Sequence, residues 1–163
     1  MNQPLVNNLN EIATISLQKQ AENDSFKDFL QSKNEKEIDD FVFELNEEIS
    51  SQIDCTQCGN CCKTLMINVT EERADNLSAH LQQSREQFDE KYLEKGSNGM
   101  MIINKIPCHF LHENKCTVYD YRFDGCREFP GLHVSGFTKR LFTVFMHYER
   151  CPIIFNVIEE LKT

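Results

Sequence analysis

Four cysteines fall within eight residues, Cys55-Thr56-Gln57-Cys58-Gly59-Asn60-Cys61-Cys62, and no ordinary hydrophobic core needs thiols at that density. Thiolates separated by two residues in a tight turn can point at one centre. Gly59 and Asn60 are residue types that tolerate the left-handed backbone such a turn demands. The stretch reads as half of a metal site. The remainder must come from later in the chain, because a closed site surrounds its metal with ligands from more than one segment.

Four further cysteines, Cys108, Cys116, Cys126 and Cys151, make two sets of four, the arithmetic of two tetrahedral sites. Neighbouring side chains diverge in an extended backbone, so Cys61 and Cys62 are expected to serve different metals or different edges of one cluster, with the two sets mixing. Zinc takes four thiolates readily. Cys-x-x-Cys-x-x-Cys is equally the spacing with which ferredoxins grip a cubane cluster, the fourth ligand coming from a distant cysteine followed by proline, as Cys151-Pro152 is here. The ligand set alone does not choose between zinc and iron.

The N-terminal residues have no cationic start, apolar run or small-residue cleavage site of a signal peptide, and nowhere do about 18 apolar residues run together. A cytoplasmic protein is expected, and in a reducing compartment metal ligation outranks disulfides. A net charge of -9 argues against nucleic acid and against anionic membrane surfaces, which both need clustered lysine and arginine. At 163 residues the chain has the length of one domain.

Apolar periodicity predicts a loosely amphipathic helix over 4–22, a short apolar group at Phe26, Phe29 and Leu30, and a helix over 34–50 capped by Asn34 that buries Ile38, Phe41, Val42, Leu45 and Ile49. After the cysteines, 65–69 reads as a strand and Thr70 caps a helix. Ser84 and Gln87 form a capping box for another, which Gly96 stops. Residues 100–103, 106–111 and 141–148 read as strands, and Pro152 opens a C-terminal helix with Cys151 at its N-terminus. The expected fold is α+β, mostly helical with short strands and metal-stapled cysteine-rich loops. Residues 1–50 form an N-terminal helical segment packing on the core, and 51–163 form the cysteine-cluster domain.

The ordered combination of Cys-x-x-Cys-x-x-Cys-Cys, Pro107-Cys108 with Phe110-Leu111, Cys116-Thr117-Val118-Tyr119 followed by Arg122, Cys126-Arg127-Glu128-Phe129-Pro130 and a late Cys151-Pro152 resembles the YkgJ family. This is a bacterial cysteine-cluster family of zinc- or iron-chelating domains. The resemblance spans about residues 53 to 153 and includes all eight cysteines; Arg122-Phe123 departs from the family's usual Arg-Pro. It implies metal binding. A similar cluster in flagellin lysine methylases is associated with iron-sulfur chemistry, so an iron-sulfur or metal-dependent enzyme, or an accessory factor to one, is the alternative reading.

Arg122 and Arg127 flank Cys126 and are expected to donate hydrogen bonds to metal thiolates, with pairing to Asp120, Asp124 or Glu128 as the ordinary alternative. His109 and His112 lie near Cys108 but are less expected as ligands than the eight thiols. Coordinated thiolates are quenched as nucleophiles, so no catalytic residue is assigned and a noncatalytic role is favoured. Metal ions are the expected partners, a protein partner being unspecified.

Overall fold

A computed structural model describes residues 4–163; the first three residues of the expected N-terminal segment lie outside it. Helices α1 (Leu9–Gln18), α2 (Gln20–Gln31) and α3 (Glu35–Ser50) come first. The single helix expected over 4–22 is broken at Lys19, whose ψ of 12° leaves the helical range, and Phe26, Phe29 and Leu30 belong to α2. Asn34 caps α3, its side chain accepting from the backbone N–H of Lys36 and Glu37. That satisfies donors a helix start otherwise leaves unpaired.

The cysteine motif forms two short helices, α4 (Cys55–Cys58) and α5 (Asn60–Thr64). Next come β1 (Asn68–Val69), α6 (Glu71–His80), α7 (Arg85–Tyr92), β2 (Leu93–Lys95) and β3 (Met101–Ile103). The three strands pair antiparallel in the order β1-β3-β2, with Asn68 opposite Ile102 and Leu93 opposite Ile103. Thr70 caps α6, and Ser84 with Gln87 forms the capping box of α7. Helix α7 ends at Tyr92 rather than at Gly96. The chain continues as β2, and the Gly96 N–H closes the following turn onto the Met100 carbonyl at 2.8 Å.

The strand expected over 106–111 is reduced to a two-residue β4 (Leu111–His112), paired with β5 (Lys115–Cys116). Its Cys108 N–H goes instead to the Cys62 carbonyl at 2.8 Å, which spends on the cysteine motif a donor that a sheet would have used. A 3-10 turn (Tyr119–Tyr121) and α8 (Asp124–Glu128) follow.

The remainder is helical: a 3-10 turn (Phe137–Lys139), α9 (Leu141–Met146) and α10 (Pro152–Leu161). The expected strand over 141–148 is thus a helix. Leu141 and Val144, three apart, are the buried pair, and Phe142 is left 83% exposed, the pattern of a helical face. The Arg140 guanidinium anchors its start by donating to the carbonyls of Gly131 and Val134.

The chain divides into two compact units, one made of residues up to Asp54 with Pro130–Thr163, the other of Cys55–Phe129. In the first, α10 packs on α3 and α1, burying Ile154, Val157 and Ile158. Buried Asp39 on α3 accepts the backbone N–H of Gly136 and Phe137 at 2.8 and 2.9 Å. Helix α3 faces this core with Asp39, Val42 and Ile49, whereas Phe41 points outward, contrary to expectation. A buried Glu159 on α10 accepts from Lys19, Lys162 and the Tyr148 hydroxyl. The second unit has its own core, in which Leu77, Phe88, Ile103, Phe110 and Phe123 are buried and Cys108, Cys116 and Cys126 pack against them. The whole is a mostly helical α+β chain with short antiparallel strands. Among the described residues no helix is long and apolar enough to cross a membrane.

Candidate metal centre

The cysteine motif is shaped by Gly59, which takes φ +58° between α4 and α5. Its N–H bonds the Cys55 carbonyl at 2.9 Å, closing the first Cys-x-x-Cys into one helical turn. Asn60, expected to share the left-handed duty, is already helical. Facing Gly59 is the β4–β5 hairpin, whose two-residue turn, Glu113 and Asn114, has positive φ at both positions (47° and 63°). Asn114 Nδ2 donates to the Gln57 carbonyl at 3.3 Å, tying the motif to the hairpin that carries Cys116.

Cys61 and Cys62 do not diverge as they would in an extended chain. On the helical turn of α5 the Cys62 thiol donates to the Cys61 sulfur, and this bond, helped by the backbone N–H groups of Cys62 and Cys61 and then by the Arg122 charge, holds the Cys61 thiol below its ordinary value against the opposing effect of burial. The shared proton pushes Cys62 strongly up, as do burial and the neighbouring sulfurs of Cys61, Cys116 and Cys108.

Cys108 is held by the Cys62 carbonyl contact, Cys116 by the hairpin, and Cys126 by α8, which an Arg73–Asp124 ion pair at 2.8 Å fixes to α6. Burial pushes the Cys126 thiol up to about 12, with further upward pressure from Cys108, Cys116 and Cys61. Burial likewise raises Cys108 and Cys116, opposed by backbone N–H groups of Phe110 and Val118 donating to the two sulfurs. Five thiols, Cys61, Cys62, Cys108, Cys116 and Cys126, therefore lie within electrostatic reach of one another inside the Cys55–Phe129 unit. Cys58 lies half-buried and Cys55 exposed on the adjoining α4. Cys151 belongs to the other unit, where it is buried as the residue preceding α10.

Arg122 lies among these thiols. Its guanidinium stacks 3.7 Å over the Tyr119 ring, and its charge favours the thiolates of Cys61, Cys116 and Cys126. Its Nε is buried without a hydrogen-bond partner among the described residues. Arg127 is placed differently: it donates to the backbone carbonyls of Arg122 and Asp120 and so braces the turn that carries Arg122. His109 is bonded to Asn104 at 2.7 Å and packed edge-on against Tyr92, and His112 is exposed. Asn114 was missed by sequence reasoning; a two-residue hairpin loop with Asn at its second position is the signal that points to it.

The donor set suits a thiophilic metal. Soft sulfurs influence one another's charge, backbone N–H groups already aim at two of them, and a buried guanidinium nitrogen lacks an acceptor that a metal-bound sulfur would supply. Among the described residues no three Cys, His, Asp or Glu side chains are set in a finished ligand arrangement.

The family model CxxCxxCC, described as a "putative zinc- or iron-chelating domain", matches residues 54–151, a span that contains every cysteine of the chain. No solved structure matches the chain.

Proposed function

From the premise that this chain belongs to the CxxCxxCC family of zinc- or iron-chelating domains, we propose that it is a cytoplasmic, noncatalytic protein that binds zinc or iron through its cysteines. The five mutually interacting thiols of the Cys55–Phe129 unit carry this reading. Cys61, Cys62, Cys108, Cys116 and Cys126 would form the heart of the ligand set, with Cys55 and Cys58 at its margin and Cys151 as the eighth thiol. Arg122 would hydrogen-bond a metal-bound sulfur and offset the negative charge that several thiolates leave around a dication. Arg127 would act through the carbonyls it holds.

The bound metal would staple loops that have few apolar residues of their own. Anaerobic purification with metal analysis and an absorption spectrum tests the reading. A colourless protein with stoichiometric zinc, or a coloured one with iron, supports it; a protein purified with neither metal, and unable to take up either after reduction, overturns it. The exposure of Cys55 at the start of the motif favours a second reading, in which the centre is an iron-sulfur cluster with one edge open. The protein would then be a protein-modifying, methylase-like enzyme or its accessory factor.

A further inference from the structure

Helix α3 carries two apolar stripes. Val42 and Ile49 enter the core of their own unit, but Ile38, Phe41 and Leu45, spaced by three and four residues, line a surface groove of about 490 Å³ with Phe29 of α2. Phe41 is 60% exposed and Phe29 48% exposed, and the two rings share one groove with Ile38 and Leu45. Glu44 and Glu48 of α3 and Glu160 of α10 also line it, so the apolar floor carries carboxylates. Lys33 Nζ, 4.2 Å over the Phe29 ring, marks a cation position at one end.

We propose that this groove docks an amphipathic helix of a protein partner whose apolar face is flanked by lysines or arginines. Anchors at helical spacing are what a helix-in-groove contact reads, and the carboxylates set the sign of the flanking charge. The net charge of -9 reinforces attraction to such a segment. A second copy of the chain fits poorly, because a two-fold contact through this face sets the three glutamates against their own kind. An anionic lipid surface meets the same repulsion.

The test uses the full chain as purified and a fluorescein-labelled helical peptide of leucine and lysine, with its leucines at three- and four-residue spacing, followed by fluorescence anisotropy. Saturable one-to-one binding is expected, weakened at least tenfold by Phe41→Ser and by the double change Glu44→Lys with Glu48→Lys, and weakened by salt. The counterpart peptide with glutamate for lysine should not bind. All three positions are solvent-facing or half-buried, so circular dichroism should report unchanged helicity. The double variant keeps the test decisive should Phe41→Ser lose structure. Absence of saturable binding, binding by both variants as tight as that of the unaltered chain, or binding of the glutamate peptide as tight as that of the lysine peptide overturns the proposal. So does a dimer in sedimentation that Phe41→Ser disperses, or Phe41-dependent adsorption to phosphatidylcholine vesicles in place of peptide binding.

Discussion

A Cβ placed on Gly59 would meet the Cα and Cβ of Asn114 at 3.0 Å, so the hairpin turn lies against the cysteine motif with room for hydrogen and nothing larger. Gly59→Ala therefore adds a contact with rigid backbone to the cost of φ +58°. A loss of about 2 kcal/mol is expected in denaturant unfolding, together with faster metal release. Gly99→Ala is the control: φ is +80° there but nothing stands within 4 Å, so only the conformational part, about 1 kcal/mol, should appear.

Arg122→Met keeps much of the side-chain volume and removes the charge and the buried Nε. Metal loss to a chelator should accelerate about tenfold, the order found when a residue behind the ligands is removed. Arg127→Ala, which frees two backbone carbonyls, should show a smaller effect. Unchanged retention in Arg122→Met would remove Arg122 from the site.

Glu159 gives the first unit its acid sensitivity. Burial works to raise its pKa, but Lys162, Lys19 and the Tyr148 hydroxyl outweigh it and hold the carboxyl below its ordinary value. A depressed carboxyl stabilises the fold above its unfolded pKa, near 4.5, and that contribution fades as pH falls through the lower folded value. At the other end, burial and then the bond to Glu159 push Tyr148 up, so its share is complete below pH 10 and fades above it. Glu159→Gln should cost about 2 kcal/mol at neutral pH and flatten the acid limb of stability against pH. A variant with the wild-type acid limb would show that another group sets it.

Chelation should raise hydrogen exchange across Cys55–Phe129 while α3 and α10 stay protected, because their buried residues form a core that contains none of the seven cysteines of that unit. Loss of protection in both units at one chelator concentration would contradict this.

Much of the helical part was legible from local chemistry. Asn34, Thr70, Ser84 with Gln87, and Pro152 each mark a helix start by a side chain that caps or a ring that needs no donor. The motif itself pointed to the zinc- or iron-chelating family whose model the chain matches. Where local pattern failed, a distant partner had decided: Cys108 gave its N–H to Cys62, and Arg140 reached back to Gly131 to start a helix in a stretch rich in phenylalanine and β-branched residues. Phe41 was hidden because a helix with two apolar stripes has the same spacing as a helix with one broad face. Arg122 and Arg127 look equivalent beside Cys126, and only the direction of each guanidinium separates a charge set near the thiols from a donor to backbone carbonyls.

Because the first unit is interrupted between Asp54 and Pro130, its two pieces are joined by the 75 residues of Cys55–Phe129. An unstructured tether of that length costs roughly (3/2)RT ln 75, or ~4 kcal/mol, to close, whereas a folded insert holds its own ends at a fixed separation. Metal loading of the insert would then act on its host as a removable cross-link does, by shrinking the freedom of the unfolded chain. The host would sense the metal thermodynamically through its chain connections, apart from any ligand that Cys151 supplies.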